Sequence, residues 1–433
     1  MKVLMLGWEF PPLFSGGLGV ATYGMVKALR SSARIKLIVP RSDPASSLEN
    51  VSIIGLNNAI REQLKREGMS FDLAALADRV ERIPLTLSPY ESVNTILEKE
   101  EYQQQQARLS REGKRAEQLG NYFSGSEAYG ADITRKVFLF AQLADYVSKS
   151  DDFEVIHAHD WVTYPAGIRI RKRARKPLVM HVHALETDRA GGGVRNKIYN
   201  LEKDALSQAD KIIAVSNYTK DQLCHHYSIP PDRIAVVHNG IDPQEVARKS
   251  HKLNDKLVVF LGRITRQKGP EFLLETARKV VRVFSRVKFV VAGTGDEFAH
   301  LLESAAYQKL GKKFIFTGFL SKREVDELLS MADVYFMPSV SEPFGLTALE
   351  AAQHRVPGVL SKQCGAREVL TALSADFWDT DKYANYINAL LRYPALHSDL
   401  AQRANAQSKE LTWDRAAEKI SKVYSELVGS VTS

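Results

Sequence analysis

Short apolar runs rich in Val, Ile and Phe alternate along the chain with helix-length amphipathic segments. That alternation predicts parallel sheets joined by crossover helices. Residues 2–8 read as a buried strand, and a Pro/Gly loop follows over 10–19. A helix then runs to about residue 30, with Leu18, Ala21, Met25 and Leu29 on one face. Residues 34–40 form the next strand. The rhythm breaks over 41–130, which reads as an insertion. Its charged, Gln-rich part, 98–118, suits an exposed helix or hairpin.

The alternation then resumes with a helix at 133–148, a strand at 153–158, helices and strands by turns to 207, and strands at 211–215 and 234–237. The turn Asn239-Gly240-Ile241-Asp242-Pro243 and the polar run 244–255 mark a domain boundary. From residue 256 the pattern restarts, with strands at 257–261, 287–292, 314–317, 334–337 and 356–360. The expected fold is α/β: two Rossmann-like, doubly wound domains, 1–243 and 256–411, facing each other across a cleft. In such sheets ligands bind at the carboxyl ends of the strands.

Composition narrows this picture slightly. A chain of 433 residues suits two domains, and 44% hydrophobic with 25% charged residues is ordinary for a globular protein. No run approaches the ~18 apolar residues of a spanning helix. The apolar stretch Met1-Lys2-Val3-Leu4-Met5-Leu6 is too short for a signal-peptide core. Two cysteines, Cys224 and Cys364, make no disulfide framework, so a cytoplasmic location is expected. The net charge of +8 admits an anionic partner without identifying one, and no nucleic-acid partner is expected. The basic run 169–176 suits a solvated helix C-terminus or weak peripheral contact with an anionic membrane.

Four constellations carry candidate chemistry. Ser15-Gly16-Gly17-Leu18-Gly19, between the first strand and its helix, brings backbone N–H groups and a helix N-terminus toward an anion, or is simply a tight turn. Gly262-Arg263-Ile264-Thr265-Arg266-Gln267-Lys268-Gly269 sets Arg263 at a strand tip and Lys268 just before a helix start. They could hold a diphosphate, or form a solvated basic loop. Ser341-Glu342-Pro343-Phe344-Gly345-Leu346-Thr347-Ala348-Leu349-Glu350 places two carboxylates astride a helix start, where they suit sugar and ribose hydroxyls or plain helix capping. His157-Ala158-His159-Asp160 and His181-Val182-His183 each put a histidine pair on one strand face. With no cysteine nearby, hydrogen-bonded core histidines are favoured over a metal for His157 and His181, while His159 and His183 should face the cleft. Asp379-Thr380-Asp381 reads as a loop and helix cap.

Taken together these segments resemble the retaining glycosyltransferases of the GT-B fold, in the family 4 group that includes glycogen, starch and sucrose synthases. The resemblance covers nearly the whole chain. His157-Ala158-His159-Asp160-Trp161 is similar to the glycogen and starch synthases, and His183-Ala184-Leu185-Glu186 to the sucrose synthase form of the active-site histidine. Bacterial glycogen synthases usually carry a lysine just before the glycine loop, where this chain has Phe14-Ser15.

The resemblance implies that Gly16 and Gly17 approach the donor phosphate and sugar. His183 contacts the donor sugar, and Arg263 and Lys268 neutralise the diphosphate. Glu342, with the backbone of Phe344, Gly345 and Leu346, holds the sugar, and Glu350 binds the ribose. His183, Glu342, Arg263 and Lys268 are the catalytic set, with His159 and Asp160 toward the acceptor. It further implies transfer of a hexosyl group, glucosyl foremost, from an ADP- or UDP-linked sugar to an α-glucan, with no metal or other cofactor. A lipid-linked or cell-surface polysaccharide is the alternative acceptor, and a nucleotide-sugar epimerase of the same fold is the alternative enzyme. The C-terminal segment 412–433 is expected to cross back as a helix to the first domain.

Overall fold

The computed structural model describes residues 1–12, 16–43, 48–57, 133–244 and 254–432. Ser15, the Phe14-Ser15 departure and the proposed helix or hairpin at 98–118 lie outside them.

The first sheet holds β1 (Lys2–Leu6), β2 (Arg34–Val39), β3 (Val51–Gly55), β4 (Val155–His159), β5 (Leu178–Val182), β6 (Lys211–Ala214) and β7 (Ile234–Val236). Their order is β3-β2-β1-β4-β5-β6-β7, and every pairing is parallel. The second sheet holds β8 (Lys256–Leu261), β9 (Val287–Ala292), β10 (Phe314–Gly318), β11 (Val334–Met337), β12 (Gly358–Ser361) and β13 (Leu373–Ala375), in the order β10-β9-β8-β11-β12-β13. It too is parallel throughout. Both are Rossmann-like. The central strands are buried on both faces because crossover helices cover each side, which is why β4 and β5 read as unbroken apolar runs with histidines set among them.

Two strands escaped the sequence reading. β3 lies inside the stretch taken as an insertion, yet it pairs with β2 from Ile35–Val51 to Val39–Gly55 and forms the sheet edge. β13 has only three residues and no apolar run to signal it.

Local chemistry explains several element ends. The helix Pro270–Val283 starts with Pro after Gly269 and lays Leu273, Leu274, Ala277 and Val280 on the second core. The helix Lys322–Met331 begins with a Ser321–Glu324 capping box. Asp379 caps the helix Thr380–Arg392, its carboxylate accepting from the Lys382 N–H at 3.1 Å.

The C-terminal helix Trp413–Thr432 packs on the first sheet. Trp413, Ala416, Ala417, Ile420, Val423 and Tyr424 join one core with Val3, Met5, Val155 and Val179. Gly24 makes this approach possible: a Cβ there would lie 2.2 Å from the Trp413 ring. The chain leaves the first sheet past Gly240 and returns beside it. The Ile241 N–H donates to the Leu411 carbonyl at 2.8 Å, and a Cβ on Gly240 would lie 2.3 Å from the Trp413 nitrogen.

Candidate active site

The strand order of each sheet reverses once, between β1 and β4 in the first and between β8 and β11 in the second. At such a switch point adjacent crossovers leave to opposite faces and open a crevice at the strand tips. The sequence-selected segments sit at these two places. Gly16 and Gly17 follow β1, and His159 and Asp160 end β4. Arg263 and Lys268 follow β8, and Glu342 follows β11.

In the second sheet the β8 and β11 tips are locked together. The Val340 N–H donates to the Gln267 carbonyl at 2.9 Å, and Gln267 Nε2 donates to the Ser341 carbonyl at 3.0 Å. Gly269, with φ of 67°, rests on the Pro338 carbonyl, which would lie 2.3 Å from any Cβ there. This contact aims Lys268 Nζ at the Glu342 carboxylate, and the two form an ion pair. Glu342 is itself fixed: its N–H donates to the Gln363 carbonyl at 2.8 Å, and its own carbonyl accepts from the Gly365 N–H at 3.0 Å. Arg263 is exposed and makes no ion pair among the described residues.

The helix Leu346–Gln353 starts at Gly345, whose φ of 101° only glycine adopts easily. Its α-carbon faces Met337, Cys364 and Glu342, all within 3.3 Å of a Cβ position. Phe344 is buried, and its carbonyl accepts from the Ala366 N–H at 2.6 Å. Leu346 opens the helix. Glu350, the fifth residue of the helix, pairs with Lys322 at 2.9 Å, a partner that the sequence did not suggest.

In the first sheet, a Cβ added to Gly16 or Gly17 would meet nothing within 4 Å among the described residues. His183 is partly exposed, and its Nε2 lies 2.9 Å from His159 Nδ1. Burial pushes the His183 imidazole down to about 3, so it is neutral. His159 and Asp160 are buried, at 0% and 6% exposure, rather than open to the cleft. Instead Asp160 Oδ1 accepts from the backbone N–H of His183 at 2.7 Å and of Ala184 at 3.3 Å. It thus shapes the turn that carries His183. Burial raises its carboxyl to about 6 against the lowering pull of Arg189.

Sequence reasoning missed the support behind this turn. Arg189 binds Glu186 at 2.9 Å and Glu202 at 2.7 Å, and Asn196 binds Glu186 at 2.6 Å. Burial raises Glu202 to about 7, with Arg189 opposing. The signal was available in the acids and the arginine of residues 186–189, but the partner Glu202 comes from another helix.

The two lobes meet beside the site. Ser341 Oγ donates to the Asp188 carboxylate and lies 2.8 Å from the Tyr218 hydroxyl. Glu368 accepts from the N–H groups of Asn217 and Tyr218 and pairs with His238 at 2.9 Å.

Two parallel, Rossmann-like sheets, each with one switch point and joined through contacts beside their strand tips, make a GT-B fold. Comparison with known proteins agrees. Residues 111–245 match the model "Glycosyltransferase Family 4", and residues 242–407 match "Glycosyl transferases group 1". An uncharacterized glycosyltransferase of Methanocaldococcus jannaschii is 31% identical over 297 residues, covering 63% of this chain and 75% of that one. The glycogen synthase of Mycobacterium tuberculosis is 24% identical over 440 residues, covering 98% and 94%. In architecture, sucrose-phosphate synthase from Thermosynechococcus elongatus superposes with a TM-score of 0.70 at 17% identity, covering 99% of both chains. The chain belongs to the glycosyltransferases, with a family 4 domain in its first half and a group 1 domain in its second.

Among the described residues no helix is long and apolar enough to cross a membrane. Half of the basic run is committed to the fold: Arg169 and Arg173 pair with Asp145, and Arg171 with Asp210.

Proposed function

We propose that this chain is a retaining hexosyltransferase that moves a glucosyl group from an ADP- or UDP-linked sugar to an α-glucan. One observation carries the reading: Lys268 and Glu342 meet at the switch point of the second sheet, beside the open N-terminus of the helix Leu346–Gln353.

A leaving diphosphate gains charge as the anomeric C–O bond breaks. Arg263, Lys268 and the helix N–H groups are fixed donors of the kind that stabilise such charge. Glu342 and Glu350 can accept from sugar and ribose hydroxyls. Gly16 and Gly17 leave room for the donor to lie against the first lobe, with the neutral His183 beside the sugar. The acceptor oxygen forms the new bond on the face the diphosphate leaves, and the acceptor proton passes to the departing phosphate oxygen. Side-chain cations meet the charge, so no divalent ion is required in this step. His159 and Asp160 act on the acceptor side through His183 and its turn.

The similarity to a glycogen synthase over nearly the full length supports an α-glucan acceptor. The test is to supply ADP-glucose and UDP-glucose with glycogen, maltooligosaccharides and sugar phosphates, and to assign the new linkage by NMR. An α-linked glucan, formed at a rate unchanged by added Mg²⁺ or Mn²⁺, is expected. A β-linked product would overturn retention, and an epimerised donor without transfer would make the chain an epimerase.

A further inference from the structure

Four histidines occupy one face of β4 and β5, behind the donor site. His157 and His159 alternate along β4, and His181 and His183 continue the pattern from β5, with His159 in register with His181. The rings stack. Centroids lie 4.3 Å apart for His157 and His159, and 5.3 Å apart for His181 with each of them. We propose that His157, His159 and His181 form a buried binding site for a transition-metal ion of the zinc class.

The geometry is that of a ligand set. One ring nitrogen from each histidine lies within 4.8 Å of the other two. All three side chains are buried, at 1% exposure or less. His159 Nε2 and His181 Nε2 have no hydrogen-bond partner among the described residues. A buried polar atom left without a partner is costly, so such atoms in a native protein point to an occupant.

Their other nitrogens are already oriented. His157 Nδ1 meets the Tyr424 hydroxyl at 2.5 Å, and His159 Nδ1 meets His183 Nε2 at 2.9 Å. Such outer contacts fix ring orientation and tautomer in histidine metal sites. With Nδ1–H donating outward, Nε2 presents its lone pair inward. The long contact of 3.3 Å between His181 Nδ1 and His157 Nε2 is the one that coordination would replace.

Burial lowers all three imidazoles, so they are neutral, as metal ligands must be. Zinc takes imidazole nitrogens at about 2.0–2.1 Å in a tetrahedral shell, and small ring rotations bring the three nitrogens inward to that distance. A water molecule completes the fourth position. The ion would join β4 and β5 beneath Tyr424 of the C-terminal helix, on residues other than those assigned to the diphosphate.

The test uses the full chain and does not depend on transfer activity. Chelator-treated protein is titrated with Zn²⁺ by calorimetry and thermal melting, and Co²⁺ is then added as an optical probe. One tight equivalent of Zn²⁺, a raised Tm and the strong visible bands of tetrahedral Co²⁺ are expected, all lost in His181→Phe. If the wild type takes up no stoichiometric Zn²⁺, an ordered water fills the gap and the proposal falls. It falls equally if His181→Phe binds as the wild type does, which would place the metal at another site such as His225 and His226. Should His181→Phe not fold, the wild-type cobalt spectrum decides alone: tetrahedral bands support the site, and their absence ends it.

Discussion

Lys268 and Glu342 lie 74 positions apart in the chain, yet they form an ion pair across the seam between β8 and β11, with side-chain exposures of 19% and 10%. Without a donor, the cation assigned to the diphosphate and the carboxylate assigned to the sugar neutralise each other. A donor that inserts between them gives each a new partner. Losing one preorganised charge of this kind typically costs 10²- to 10³-fold in rate. Lys268→Ala and Glu342→Ala are each expected to lower kcat/KM by roughly that factor, with the circular dichroism spectrum of the wild type. Near-normal kcat/KM in both variants would remove the site from these loops.

Gly345→Ala tests the helix start. Its φ of 101° disfavours any side chain, and the new methyl would sit 3.0 Å from Met337 Cε and 3.3 Å from Glu342 Cγ. A loss of about 1–3 kcal/mol in denaturant unfolding is expected, together with a raised KM for the donor, because Glu342 must move. An unchanged unfolding midpoint would show that the backbone adapts without strain.

The buried Glu202 should leave a mark on the pH dependence of stability. Burial lifts its carboxyl to about 7, from about 4.3 in an unfolded chain. Between those values the folded state holds a proton that the unfolded state has lost. Stability therefore declines as pH rises through this window, by at most about 1.4 kcal/mol per pH unit. Glu202→Gln cannot titrate, so its unfolding free energy should fall less steeply between pH 5 and 7. Identical slopes in the two proteins would mean that Arg189 keeps Glu202 ionised throughout.

The arginines of the basic run bear on the choice of acceptor. Arg169, Arg171 and Arg173 are spent on Asp145 and Asp210, leaving Lys172, Arg175 and Lys176 outermost. Three surface cations give only weak attraction to anionic lipid at physiological salt. The protein is expected to stay in the supernatant when anionic vesicles are pelleted. Salt-sensitive pelleting would favour the membrane-borne acceptor instead.

Much of the architecture was legible because hydrophobic periodicity reports burial, and central parallel strands are buried on both faces. β3 and β13 were not: β3 lies where the rhythm breaks, with Ser52 exposed between half-buried neighbours, and β13 is only three residues long. The candidate-site residues were legible as motifs, but their mutual contacts were not. That Lys268 meets Glu342, or Lys322 meets Glu350, follows from strand order, which sequence spacing does not encode. The histidines show the limit most clearly. Alternation put His157 with His159, and His181 with His183, on strand faces. Only the β4–β5 register brings the pairs together, buries His159 and leaves ring nitrogens without partners. The expectation that His159 and His183 would both face the cleft failed for His159, because the register places His183 two residues further along, past the covered tip.

The crossing at Gly240 limits how the halves of the molecule can shift. Outgoing and returning segments are bonded to each other at Ile241 and Leu411, and they press together where no side chain intervenes. Chain fastened to itself at one spot leaves no slack there, so a side chain at position 240 would have to lever the start of the returning helix off the sheet it covers.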